Sequence, residues 1–95
     1  MIIEFDGESI LSEGNFHDAL AEALNFGPYY GASLAALWDT LSIDVKRPVR
    51  LVWSNSSASK VAMGESFDRI VAVLRRVEAE DIELQYRDKF ELVIA

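Results

Sequence analysis

The stretch Ser33–Trp53, SLAALWDTLSIDVKRPVRLVW, carries a helix, a break and a strand in one run. Leu34, Leu37 and Leu41 stand at i, i+3 and i+7, one apolar stripe of a helix over about 34–43, with Ser33 as its N-cap. Ala35, Asp39 and Ser42 fall on another face, and Trp38 lies near the stripe's edge. Lys46-Arg47-Pro48 ends the pattern, because proline cannot continue a helix. Val49–Trp53 (VRLVW) is β-branched and aromatic and reads as a strand.

Working outward, Met1–Phe5 (MIIEF) is a second strand-like run, closed by the turn dipeptide Asp6-Gly7. Asn15 is the expected N-cap of a helix over about 16–26, in which Phe16, Leu20 and Leu24 recur every four residues. Gly27-Pro28 ends it, and Tyr29-Tyr30-Gly31-Ala32 follows as a short linker. Ser54–Ser59 (SNSSAS) reads as a loop or a short helical turn. Ser66 is the expected cap of a helix over about 67–79, whose Phe67, Ile70, Val71, Leu74 and Val77 give the clearest amphipathic signal in the chain. Arg69, Arg75 and Arg76 face away from that stripe. Ile82–Tyr86 (IELQY) and Phe90–Ala95 (FELVIA) are both strand-like, so an extra C-terminal strand or a hairpin is open. Strands alternating with helices predict an α/β fold with a small parallel sheet, three to four helices and one domain over residues 1–95.

The 95 residues suffice for one modest core, at about 60–70% of the unfolded surface buried. No cysteine is present, which excludes disulfides, thiolate metal sites and thiol catalysis and fits a reducing, cytoplasmic setting. The apolar runs are far short of a membrane span, and no signal-peptide pattern opens the chain. The net charge is −7 and lopsided: residues 1–45 hold eight acids and no Lys or Arg, the first base being Lys46. Such a field repels nucleic acid and attracts a basic partner; equally, it can simply solubilise the surface.

Enzyme signatures are missing. There is no glycine-rich phosphate loop, and Gly31-Ala32-Ser33-Leu34-Ala35 lacks the second glycine of a nucleophile elbow. The single histidine, His17, has no activated nucleophile to serve, so surface exposure or packing at the start of a helix is its expected role. No spacing suggests a metal or cofactor site. The unusual stretch is residues 29–44, which sets three aromatics beside Asp39 and Asp44 with no base among them. Tyr and Trp anchor protein interfaces. Trp38 alone suits a core as well, whereas Tyr29-Tyr30 in a Gly-flanked linker needs a partner or a packing site.

Tyr29-Tyr30-Gly31, Leu34, Ala36-Leu37-Trp38-Asp39 and Leu41 resemble the YYG-x-x-L-x-A-L-W-D-x-L signature of the barstar family, intracellular inhibitors of barnase-type secreted ribonucleases. Phe16-His17 with Leu20 is similar to the family's first-helix pattern. Pro48, Leu51 and Trp53 are similar to its second strand, and Val73, Arg75, Ala79 and Glu80 to its last helix. The likeness runs through residues 1–81 almost without gaps, whereas the C-terminal fifteen residues exceed the family's single last strand.

The resemblance implies a three-stranded parallel sheet packed with helices and no catalytic activity, cofactor or metal. It implies a cytoplasmic, antitoxin-like inhibitor that plugs a small basic guanyl-specific ribonuclease in a 1:1 complex and so protects the producing cell. The implied partner-binding residues are Tyr29, Tyr30, Gly31, Ser33, Leu34, Trp38, Asp39, Ser42, Asp44 and Val45. Asp39 would take the place of an RNA phosphate, and Tyr29 would stack on a histidine of the enzyme. Four positions depart from the family's best-known pattern: Ser33 replaces an Asn, Ala35 an acid, Asp44 a Trp and Arg76 an acid. They feed an alternative, a barstar-like interaction module for a different basic protein. Neither nucleic acid nor a membrane is an expected partner.

Overall fold

A computed structural model describes all 95 residues. The elements run β1 (Ile2–Asp6), α1 (Glu13–Leu24), α2 (Leu34–Asp39), β2 (Val49–Ser54), α3 (Ser56–Met63), α4 (Glu65–Glu83) and β3 (Phe90–Ile94), with a π-helical turn, Thr40–Asp44, extending α2. The strands form one parallel sheet in the order β1-β2-β3, with Ile3 opposite Leu51 and Leu51 opposite Leu92. Two crossovers of the same hand stepping the same way put their helices on one face. The burial alternation follows: Ile3, Phe5, Val49, Leu51, Trp53, Phe90 and Leu92 point into the core, while Ile2, Glu4, Asp6, Arg50 and Glu91 face out. The α/β expectation, with three parallel strands and four helices, therefore holds.

The core centres on Trp53. Phe16 stacks on its indole at 5.3 Å, and Phe5 and Phe67 approach edge-on at 6.4 and 5.0 Å. The indole N–H donates to Ser59 Oγ at 3.0 Å, and that hydroxyl donates to the Gly7 carbonyl at 2.9 Å. One hydrogen-bond chain thus joins β2, α3 and the turn after β1 without leaving a buried donor unmade. Gly7 is obligatory there, since a side chain would collide with the Asn55 carbonyl.

Several boundaries differ from expectation. Ser12, not Asn15, caps α1: its Oγ accepts the Asn15 N–H at 3.0 Å, so the helix starts at Glu13. It ends at Leu24 rather than 26, because Asn25 takes the left-handed conformation that closes a helix. Of the loop or short helical turn expected over Ser54–Ser59, the helical alternative is the one observed, and it extends as α3 to Met63. Gly64, at φ 57° and ψ −126°, separates α3 from α4. The long helix therefore begins at Glu65, and Ser66 donates to the Met63 carbonyl instead of capping. Ile82–Tyr86 is not a strand: α4 runs on through Glu83, and β3 is the only strand after it.

That last difference has one cause. Asp81, 2% exposed, continues the buried stripe of Phe67, Ile70, Leu74 and Val77 as its final member. Its carboxylate receives Arg47 Nε and Nη2, each at 2.9 Å, and the Phe90 N–H at 2.8 Å. Arg47 Nη1 also donates to the carbonyls of Leu41 and Val45, at 2.6 and 2.7 Å, which the end of the α2 segment leaves open. The same helix satisfies the outer edge of β3 further along: Glu78 accepts the Leu92 N–H at 2.7 Å, and Arg75 donates to the Leu92 carbonyl at 2.9 Å. Residues 75, 78 and 81 thereby occupy an edge that would otherwise invite another strand.

Arg47→Ala leaves Asp81 charged, buried and unpaired, and is expected to cost about 3–5 kcal/mol in urea unfolding. Arg47→Lys should recover part of that, because lysine keeps the charge without the fork. Burial pushes the Asp81 carboxyl upward, but the bonds from Arg47 and Phe90 and the charges of Arg47 and Lys89 outweigh it and hold it below its ordinary 3.8. A depressed carboxyl contributes stability above its unfolded value and loses it as pH falls through the folded one. The difference in unfolding free energy between wild type and Asp81→Asn should thus shrink below about pH 4.

Candidate protein-binding site

Residues 29–45 form one continuous surface segment, and the two tyrosines that open it have different fates. Tyr29 is 95% exposed. Tyr30 is half-buried, its ring 4.8 Å from Phe26 and its hydroxyl 2.6 Å from His17 Nδ1. His17 is only 2% exposed, and its Nε2 meets Glu13 at 3.1 Å. With a carboxylate accepting at Nε2, the ring proton belongs there, and Nδ1 accepts from the phenol. The expectation of surface exposure at His17 is thus corrected, while packing at the start of the helix holds. Glu13, His17 and Tyr30 tie the linker to α1 and leave the Tyr29 ring exposed.

Ser33 then caps α2 as expected, its Oγ accepting the Ala36 N–H at 3.0 Å. A side chain at Gly31 would crowd Ala36, so the chain enters the helix closely. Leu37 and Leu41 are fully buried and Leu34 partly so, which fixes α2 by its expected stripe. Asp39 is exposed on the opposite side. The helix over 34–43 is not uniform: from Thr40 its bonds widen to a π turn that runs to Asp44, with Arg47 gathering its last carbonyls. Ser42 Oγ is buried in this turn without a partner. Asp44 and Val45 line a cavity of about 660 Å³, with Leu24, Phe26, Thr40 and Pro48 among its other walls. Tyr29, Gly31, Ser33, Leu34, Trp38 and Asp39 lie outside that cavity.

Trp38 is half-buried against the core cluster, and the Arg76 guanidinium lies over its ring, 4.4 Å from the centroid. It is a core residue and a surface residue at once. The electrostatics are one-sided. Arg47, Arg50, Lys60, Arg69 and Arg75 all pair with acids of the second half of the chain. None of the eight acids in residues 1–45 has a Lys or Arg partner; Glu13 meets only His17. Asp39 and Asp44 therefore project an uncompensated field.

No group of three or more His, Asp or Glu could hold a metal ion, and no helix is long and apolar enough to cross a membrane. The residues that sequence reasoning missed are those that position the segment. Glu13 and His17 stand at i, i+4, a readable spacing once Ser12 is the cap of α1. Arg47 and Asp81 are 34 residues apart, and no local pattern joins them.

Burial, with the Glu13 charge behind it, pushes the Tyr30 phenol up to about 12. The folded state then holds that proton after the unfolded chain has lost it near 10. Stability from this site is expected to be complete below pH 10 and to fall as pH rises toward 12. Tyr30→Phe leaves His17 Nδ1 buried without its partner and should cost about 1–3 kcal/mol in urea unfolding, with the alkaline loss removed.

The sequence matches the family described as "Barstar (barnase inhibitor)" over residues 1–95. A Bacillus subtilis (strain 168) protein named "Putative ribonuclease inhibitor YrdF" is 33% identical over 92 residues, which span 97% of this chain and 96% of that one. The chain belongs to the barstar family, whose members are inhibitors rather than enzymes.

Proposed function

We propose that this protein inhibits a small, basic, secreted guanyl-specific ribonuclease by seating α2 and its flanking loops in the enzyme's active site, in a 1:1 complex in the cytoplasm of the producing cell. The observation that carries this reading is Asp39, an exposed carboxylate without an ion pair on a helix fixed from beneath by Leu37 and Leu41. A ribonuclease site is positive because it holds phosphates. A carboxylate delivered there on a rigid helix needs no chemistry to block it. Tyr29 supplies an exposed ring for stacking, Gly31, Ser33 and Leu34 shape the approach, and Trp38 flanks the carboxylate. Ser42, Asp44 and Val45 extend the contact along the π turn, with Tyr30 acting from beneath through His17.

Asp39 sits toward the C-terminal end of its helix, where the backbone dipole disfavours negative charge. A residue placed against local stability fits a role in binding better than one in folding. The uncompensated acids of residues 1–45 supply the steering field. Opposite fields raise association rates well above the ~10⁵–10⁶ M⁻¹s⁻¹ of uncharged docking. A second reading, a module for a different basic protein, draws on Ala35 and Arg76, which stand where the family's best-known pattern has acids.

The test is RNA cleavage by a panel of small guanyl-specific ribonucleases, barnase among them, with the inhibitor titrated to equivalence. Cleavage that stops at a 1:1 ratio supports inhibition; full activity at excess inhibitor across the panel favours the second reading. Asp39→Ala should weaken binding by about 2–5 kcal/mol or more, a range for truncated interfacial charge pairs drawn in part from the barnase–barstar pair itself. Its melting temperature should stay level or rise. Asp18→Ala should leave affinity nearly unchanged, and the association rate of wild type should fall as salt is raised.

A further inference from the structure

Arg76 stands apart among the bases. Five of the nine Lys and Arg side chains hold acids, whereas Lys46, Arg76, Arg87 and Lys89 hold none. Of these four only Arg76 lies over an aromatic ring, although Glu80 lies one turn further along the same helix. Its guanidinium lies instead over Trp38, on the helix that also presents Asp39. A guanidinium carries its N–H donors in its own plane, so contact through its face leaves the edges open. Those edges suit a bidentate carboxylate. The indole restrains where the cation sits, and no hydrogen bond within the chain occupies its donors.

The surroundings constrain what can meet it. The acidic half of the chain selects a partner that is basic overall. A basic surface laid against α2 would set Lys or Arg beside Arg76 unless it carried an acid at that point. Like charges brought together in a partly dehydrated interface cost several kcal/mol, which makes one fixed cation an effective discriminator between related partners. Ala35 adds no charge of its own to α2.

We propose that Arg76, held on Trp38, is a specificity-determining residue that receives a carboxylate of the partner ribonuclease and rejects enzymes carrying Lys or Arg at that position. This rests on the ribonuclease-inhibitor reading, and its failure can be told from the failure of that reading.

The experiment measures dissociation constants of wild type, Arg76→Lys, Arg76→Gln and Arg76→Glu against the same panel, with Asp39→Ala as the reference and melting temperatures recorded for each. For the tightest-bound enzyme, Arg76→Gln should weaken binding about tenfold and Arg76→Glu about a hundredfold, with Arg76→Lys between wild type and Gln. Arg76→Glu should also tighten at least one enzyme that wild type binds weakly. That reversal of rank is the result a mere packing role could not produce. The assignment is overturned if all three variants bind every enzyme as wild type does. It is equally overturned if they weaken all enzymes by one common factor alongside a lower melting temperature. If Asp39→Ala still loses affinity in those cases, the ribonuclease reading stands without Arg76. Should wild type bind no enzyme of the panel, both readings fall together.

Discussion

The contact between Arg47 and Asp81 is the constraint on which the rest of the molecule turns. A buried carboxylate is costly unless its charge is matched and its lone pairs are filled. Here both conditions are met by groups from separate parts of the chain: the Arg47 fork from the entry to β2 and the Phe90 N–H from the start of β3. The third guanidinium nitrogen then closes the carbonyls at the end of the α2 segment. One ion pair therefore sets where α4 ends, how β3 enters the sheet and where the π turn stops. It is only modest evidence for net stability, because an apolar pair of like volume could pack as well. What it supplies is register: no apolar pair could cap two carbonyls and one amide at fixed positions.

That register matters because the proposed binding segment has little else to hold its far end. At the near end, Tyr30 is tied to α1 through His17 and Glu13, and Ser33 caps α2. Along its length only Leu37 and Leu41 are fully buried. At the far end the helix widens into a π turn that leaves Ser42 Oγ without a partner and ends on two carbonyls claimed by Arg47. The segment is clamped at both ends, so an association that needs it in one conformation does not have to order it first.

What was legible in the sequence was whatever local chemistry decides. Ser33 before a Leu stripe gave the start of α2, and alternating β-branched residues gave the strands. The long YYG…LWD signature gave the family. What was not legible depended on distant partners. Asp81 reads as a polar residue that ends an apolar stripe; only Arg47, far away in sequence, makes it the stripe's last buried member and carries the helix through Ile82. His17 reads as a solvated or packed residue until Ser12 replaces Asn15 as the cap and brings Glu13 into the same helix. Tyr29 and Tyr30 are adjacent and alike in sequence, yet the reach of one hydroxyl to His17 separates an exposed ring from an anchored one. The C-terminal fifteen residues offered two strand-like runs. The one retained is the run whose outer edge α4 can satisfy with Glu78 and Arg75.

The charge distribution links these observations to the proposed role. A chain with nine bases and sixteen acids could have spread its ion pairs evenly. Instead every Lys or Arg that pairs does so with an acid beyond residue 46, and the acids of the first half are left uncompensated. Pairing of that kind does more than solubilise. It neutralises the surface around α3 and α4 while leaving the field of α1, α2 and the linkers intact. Arg76 reaches a side chain of the acidic half without pairing with any acid, and it does so through an aromatic ring rather than a carboxylate. Trp38 can hold it without neutralising Asp39, because a ring attracts a cation through its quadrupole and carries no net charge. The same surface can therefore present an anion for general attraction and a cation for discrimination. In a salt-bridged pair, each would have cancelled the other.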